Sequence, residues 1–118
     1  MRAATVLDGH DADGYNNLGV LLHNRGRHRD AIDTLRFALK LHPNDANNLD
    51  NTGIALVALE KLPEAATEFK AALGVVPDRG SAHAGLGLIA QKQANMPEAC
   101  RRFIMAAKYN PGAYAQIN

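Results

Sequence analysis

Laid on itself with a shift of 34 residues, the sequence repeats its markers three times. Glycines coincide at Gly19, Gly53 and Gly87, and alanines at Ala31, Ala65 and Ala99 and again at Ala38, Ala72 and Ala106. Prolines close the units at Pro43, Pro77 and Pro111. A period of this size specifies stacked copies of one supersecondary unit, because a single copy cannot bury its apolar face alone.

Within each unit the apolar residues step by three and four, as in Leu18, Leu21, Leu22 and in Ala31, Ile32, Leu35, Ala38, Leu39. That rhythm belongs to amphipathic helices. It predicts first helices over 13–25, 47–59 and 81–93 and second helices over 29–41, 63–75 and 97–109, with no strands. Abundant Ala and Leu, with aromatic residues at only 5%, suit an interior of small and aliphatic side chains meeting between helices.

The punctuation agrees. Pro63 and Pro97 fit a first helical turn, where the missing N–H costs nothing, and Glu64 and Glu98 beside them favour the positive helix end. Pro43, Pro77 and Pro111 stop the second helices. Asn44 and Asp45, and Asp78, are placed to cap the helices that follow. Gly19, Gly53 and Gly87 fall mid-helix, at roughly 1 kcal/mol each against Ala, which points to close helix approach. Ala31, Ala65 and Ala99 are the expected small partners at that level, with Leu35, Phe69 and Phe103 one turn on. Gly85 beside Gly87 lowers the helix propensity of the third unit twice.

These residues resemble the tetratricopeptide repeat. Unit one supplies Tyr15, Leu18, Gly19, Leu22, Ala31, Leu35, Ala38 and Pro43. Unit two supplies Leu49, Thr52, Gly53, Leu56, Ala65, Phe69, Ala72 and Pro77, and unit three His83, Leu86, Gly87, Ala90, Ala99, Phe103, Ala106 and Pro111. The departures from the pattern are Thr52, His83 and Ala90, and a first aromatic slot that is aromatic only at Tyr15. The resemblance implies an all-α fold, an α-solenoid of tandem antiparallel helix pairs wound as a right-handed superhelix. About six full helices are expected, plus partial helices at both ends. The expected organisation is one array over 1–118 with repeats at 12–45, 46–79 and 80–113. Residues 1–11 then end a preceding helix and 114–118 begin a fourth unit. With no polar capping element at either end, the expectation is a piece of a longer array, or a short array that covers its ends by self-association.

The resemblance also implies a concave groove, lined by the first helices, that holds a peptide or a partner helix. Its lining maps onto three rows. One is polar, with Asp13, Asn47 and Ser81. A second holds Asn16, Asp50 and Ala84, beside Asn17, Asn51 and Gly85. The third is aliphatic, with Val20, Ile54 and Leu88, followed by His23, Val57 and Gln91. Asn17 and Asn51 stand out, since a side-chain amide offers an extended backbone both a donor and an acceptor. They resemble the asparagine ladder of sugar-transferring enzymes that grip extended substrates. The basic clamp with which co-chaperones of this family hold a C-terminal carboxylate is not matched. Its slots carry Asn16, Ser81 and Gly85, and Asp13 and Asp50 would repel a carboxylate.

Other chemistries are weaker. Asp11, Asp13 and Gly14 have part of the rhythm of a calcium loop, but Gly9 and Val20 stand where carboxylates belong, so helix capping is the better reading. No two of the five histidines stand at the three- or four-residue helical spacing suited to a shared ion. Cys100, the single cysteine, shares its slot with Ile32 and Ala66 and is expected in the core. Arg25, Arg27, Arg29, Arg36 and Lys40 form a basic edge, partly neutralised by Asp30 and Asp33.

A net charge of +1 gives no electrostatic ground for nucleic acid as a partner, and no apolar run suits membrane insertion. One cysteine suits a reducing compartment, so a cytoplasmic location is expected. With no catalytic constellation, the chain is expected to be a non-enzymatic protein-binding module of a scaffold or assembly protein, without metal or cofactor. The alternatives are a substrate-recognition arm of a larger enzyme such as a glycosyltransferase, and a structural repeat that forms homo-oligomers through uncapped ends.

Overall fold

The computed structural model describes residues 11–109. Six helices make up that span, and among the described residues there is no strand. The helices are α1 (Ala12–Asn24), α2 (His28–Leu41), α3 (Ala46–Ala58), α4 (Leu62–Val75), α5 (Gly80–Lys92) and α6 (Met96–Tyr109). Each begins one residue earlier than its periodicity predicts. The partial helices expected at 1–11 and 114–118, and the stop at Pro111, lie almost wholly outside the described residues.

Polar side chains close several helix starts as expected. Asp11 accepts from the Gly14 amide at 2.9 Å and Asp45 from that of Asn48 at 3.3 Å. Asp78 does not act this way. Arg79 takes the N-cap position of α5, and no side-chain oxygen meets the free amides there. Asn95 caps α6 through Glu98 N at 3.3 Å.

The three turns inside the helix pairs share one geometry. In the first, the amides of Gly26 and Arg27 return to His23 O and Leu22 O, both at 2.9 Å. Glu60 with Lys61, and Ala94 with Asn95, repeat this double closure. The closure needs a left-handed residue, and φ is +84° at Gly26, +61° at Glu60 and +60° at Ala94. Only the first turn uses the residue that adopts it without steric cost.

Antiparallel pairs α1/α2, α3/α4 and α5/α6 stack in order. Ala31, Leu35, Leu49, Ala55, Leu56, Ala65, Phe69, Ala72, Ala82 and Leu86 are buried between them. The mid-helix glycines make room for the large residues of the second helix more than for its alanines. A Cβ on Gly19 would stand 2.6 Å from Leu35 Cγ, and one on Gly53 2.8 Å from the ring of Phe69. Gly85 performs the same service between repeats, where its Cβ would lie 2.4 Å from Cζ of that ring. The second glycine of α5 therefore follows from Phe69 being larger than Leu35, whose facing slot holds Asn51.

Cys100 departs from expectation, since it is exposed. Ile32 is buried because the next helix pair covers it, whereas no described residue packs over the corresponding face of α6. Ile104 on the same helix is 68% exposed for that reason.

Candidate functional site

Eight of the expected groove residues meet in two adjoining clefts over the first two repeats. One cleft, of about 330 Å³, is lined by Asp13, Asn16, Asn17, Val20, Asp45, Asn47 and Asn51. The other, of about 260 Å³, is lined by Val20, His23, Asn24, Leu35, Asn51 and Ile54. They share Val20 and Asn51. The first carries two carboxylates and four amides with no cation in its lining, and the second is mainly aliphatic. Leu88 and Gln91 are exposed on α5 outside both clefts, and Ser81 is drawn into a different network.

Periodicity explains why these side chains share a surface. Residues 13, 16, 17, 20 and 23 follow one face of α1, and 47, 51 and 54 follow the same face of α3 one repeat later. Asn17 is exposed and Asn51 half-buried, and among the described residues neither side-chain amide is tied to another side chain. Ile54 is 44% exposed.

Two members of the expected second row are engaged within the chain. Asn16 is buried; its amide donates to Asp45 Oδ2 at 2.8 Å and its carbonyl oxygen accepts from Asn48 Nδ2 at 2.5 Å. Asn48 also donates to the Leu35 carbonyl at 2.7 Å and accepts from Thr52 Oγ1 at 3.3 Å. Every polar group of this buried cluster is matched. At the next junction the pair is repeated with charges. Buried Asp50 accepts at Oδ2 from Arg79 Nε and Ser81 Oγ, while Arg79 Nη2 reaches Asn47 Oδ1 at 2.5 Å. Oδ1 of Asp50 is buried without a hydrogen-bond partner among the described residues. Asn16 and Asp50 thus serve the joints between repeats first.

Sequence reasoning missed Asn48 and Arg79. Asn48 sits in a slot that holds Gly14 and Ala82 in the other units, and Thr52 in one that holds Leu18 and Leu86. Two polar exceptions four residues apart on one helix were the available signal of a compensated pair. His83, another departure, is likewise buried and matched. Arg102 Nη1 lies 3.2 Å from its Nδ1 and the Pro77 carbonyl 3.3 Å from its Nε2. A guanidinium only donates, so Nδ1 is the accepting nitrogen and Nε2–H the one directed at the carbonyl.

Spacing also failed to signal a histidine pair. His23 and His28, five residues apart across the turn, bring their Nδ1 atoms to 2.8 Å. Burial first, and the neighbouring His28 second, hold His23 below the ordinary imidazole value. On α6, hydrogen bonds from Arg101 and Arg102 hold Glu98 below the usual carboxylate range. Among the described residues no three metal-ligating side chains converge, and no helix is long and apolar enough to cross a membrane.

Two family models, both described as Tetratricopeptide repeat, match residues 12–45 and 51–115. No curated protein matches the sequence. Among solved structures, YrrB, described as a TPR protein with an unusual peptide-binding site, aligns with a TM-score of 0.77 at 24% identity, over 85% of this chain and 52% of its own. MamA aligns with a TM-score of 0.80 at 21% identity, over 92% of this chain and 64% of its own. The type III secretion translocator chaperone SycD of Yersinia enterocolitica gives a TM-score of 0.84 at 12% identity, over 91% of this chain and 83% of its own. The chain therefore spans between half and two thirds of the length of YrrB and MamA, and the likeness to all three is one of fold. With family models covering both parts of the helical array, and helix pairs repeating at the matching period, this chain belongs to the tetratricopeptide repeat family.

Proposed function

We propose that the chain is a protein-interaction module, not an enzyme, and that the concave face over α1 and α3 holds an extended peptide or partner helix. The observation that carries this reading is the pair of adjoining clefts, in which Asn17 and Asn51 present free amides beside Val20 and Ile54. Amides match main-chain groups and the aliphatic pair receives an apolar side chain, a division of labour suited to peptide capture. The descriptions of YrrB as peptide-binding and of SycD as a chaperone support the ligand class.

Amide NMR spectra recorded while a pool of unstructured peptides is added test the location. Shifts are expected at Asn17, Val20, Asn51 and Ile54. Perturbation confined to the outer faces of α2 and α4, or to α6, would remove the groove from consideration.

Self-association is a second reading, favoured by the open face of α6 with Ile104 at 68% exposure and Met96 at 52%. Light scattering over a concentration series decides it, since an unchanging monomer mass excludes it and a rising mass supports it.

A further inference from the structure

We propose that the groove selects a peptide carrying a lysine or arginine side chain and, about three residues away along an extended chain, an aliphatic side chain. This rests on the groove reading above and assigns its ligand chemistry.

The argument starts from charge. Asp13 is exposed at the mouth of the first cleft and makes no ion pair among the described residues, and Asp45 borders the same space. Asp45 already accepts from the Asn48 amide and the Asn16 side chain, both neutral donors, and it makes no salt bridge among the described residues. Arg79 touches the lining through Asn47, but its own charge is met by Asp50. The arginines of unit one do not line this cleft. Arg27 pairs with Asp30 at 2.6 Å and Arg36 with Glu68 at 3.5 Å, both on the second-helix side. A cationic side chain entering here gains two carboxylates and the side-chain oxygens of Asn17 and Asn51, whereas an anion meets like charge.

The second cleft has the opposite character. Val20, Leu35 and Ile54 supply its walls, and Ile54 gives up exposed apolar surface when covered. His23 at its edge is held toward its partner His28, so it adds no strong competing charge near neutral pH. The two clefts lie along α1, one centred on its first turns and one about six residues on. At 1.5 Å per residue the offset is roughly 9 Å, which an extended chain rising about 3.3 Å per residue covers in about three residues. Asn51, common to both linings, stands where the intervening main chain must pass.

The test uses the full chain and terminally blocked peptides bearing an uncharged dye, read by fluorescence anisotropy. One pool carries Lys or Arg three residues from Leu, Ile or Val; a second replaces the cation by Asp or Glu; a third keeps the cation and replaces the aliphatic residue by Ser or Asn. The first pool is expected to bind at least about tenfold more tightly than the others. Asp13→Asn should weaken it about threefold and Asp13→Lys about tenfold, and Ile54→Ala should weaken it by a similar factor, with helical circular dichroism unchanged. Tighter binding of the acidic pool, weakened by Asn51→Ala, overturns this assignment while leaving a peptide groove in place. Binding of the first pool that ignores both Asp13→Lys and Ile54→Ala overturns it as well. If no pool binds, the groove reading falls and this inference falls with it.

Discussion

Gly85→Ala sets helix propensity directly against packing. An alanine at this position would favour α5 by roughly 1 kcal/mol over glycine. Its Cβ, however, would stand 2.4, 2.5 and 2.7 Å from three ring carbons of Phe69. Carbon atoms in ordinary contact are about 3.5–4.0 Å apart, so the overlap is on the order of 1 Å. The ring has little room to retreat, because it already occupies the space where a Cβ of Gly53 would stand and Phe69 is 1% exposed. Relief must come from moving α5 off α4. That places the cost near the upper end of the 1–3 kcal/mol typical of overpacking, for a net loss of about 2 kcal/mol. For a domain of about 100 residues this lowers Tm by roughly 10 °C. Thermal and urea unfolding followed by circular dichroism measure it, with Gly74→Ala as the control. Gly74 is exposed in the last turn of α4 with nothing within 4 Å of its Cβ position, so that change should raise stability by about 0.5 kcal/mol. Adding Phe69→Leu to Gly85→Ala should recover part of the loss, as Leu35 tolerates Asn51 in the equivalent place. A Gly85→Ala protein as stable as the parent would refute the reasoning.

Three further outcomes are expected. Ala94→Gly, at φ +60° in the turn geometry that Gly26 adopts freely, should stabilise the chain by about 0.5–1 kcal/mol in the same unfolding assay, and a loss of stability would count against left-handed strain there. Asn48→Ala should cost about 2–3 kcal/mol, because it strands the Leu35 carbonyl and the Asn16 oxygen in a dry junction; a urea midpoint within error of the parent would contradict the network. The folded pKa of His23 lies below its unfolded value near 6.5, so its contribution is fully present above about pH 6.5. It is lost as pH falls, because the unfolded chain binds the proton first. His23→Gln should therefore flatten the fall of Tm between about pH 7 and pH 5, and an unchanged slope would show that burial does not hold His23 in its neutral form.

How much was legible before any coordinates depended on the distance over which each signal acts. Helix type, helix number and boundaries to about one residue follow from local terms: apolar spacing, proline position, a capping Asp11 or Asp45. The 34-residue period then fixed which helices are neighbours, since each unit of a solenoid packs chiefly on the next. Where a slot carried its usual small or aliphatic residue, as at Ala31 or Ala65, burial could be foreseen. Cys100 shows the limit, because the same slot is covered only if another helix pair lies over it.

The sequence by itself determined the repeating helix pairs and the faces of α1 and α3 that line the two clefts, because both are set by periodicity within a few turns of chain. Only the tertiary structure decided which polar side chains on that face remain free. Asn17 and Asn51 stay available, while Asn16 and Asp50, next to them in sequence, are bonded across the joints to residues 29 to 32 positions away. It also decided that His23 meets His28 across a turn and that Phe69 requires a second glycine in α5. Hydrogen bonds and ring contacts act over about 3–4 Å, and so they depend on where the stacking of one repeat on the next carries each side chain.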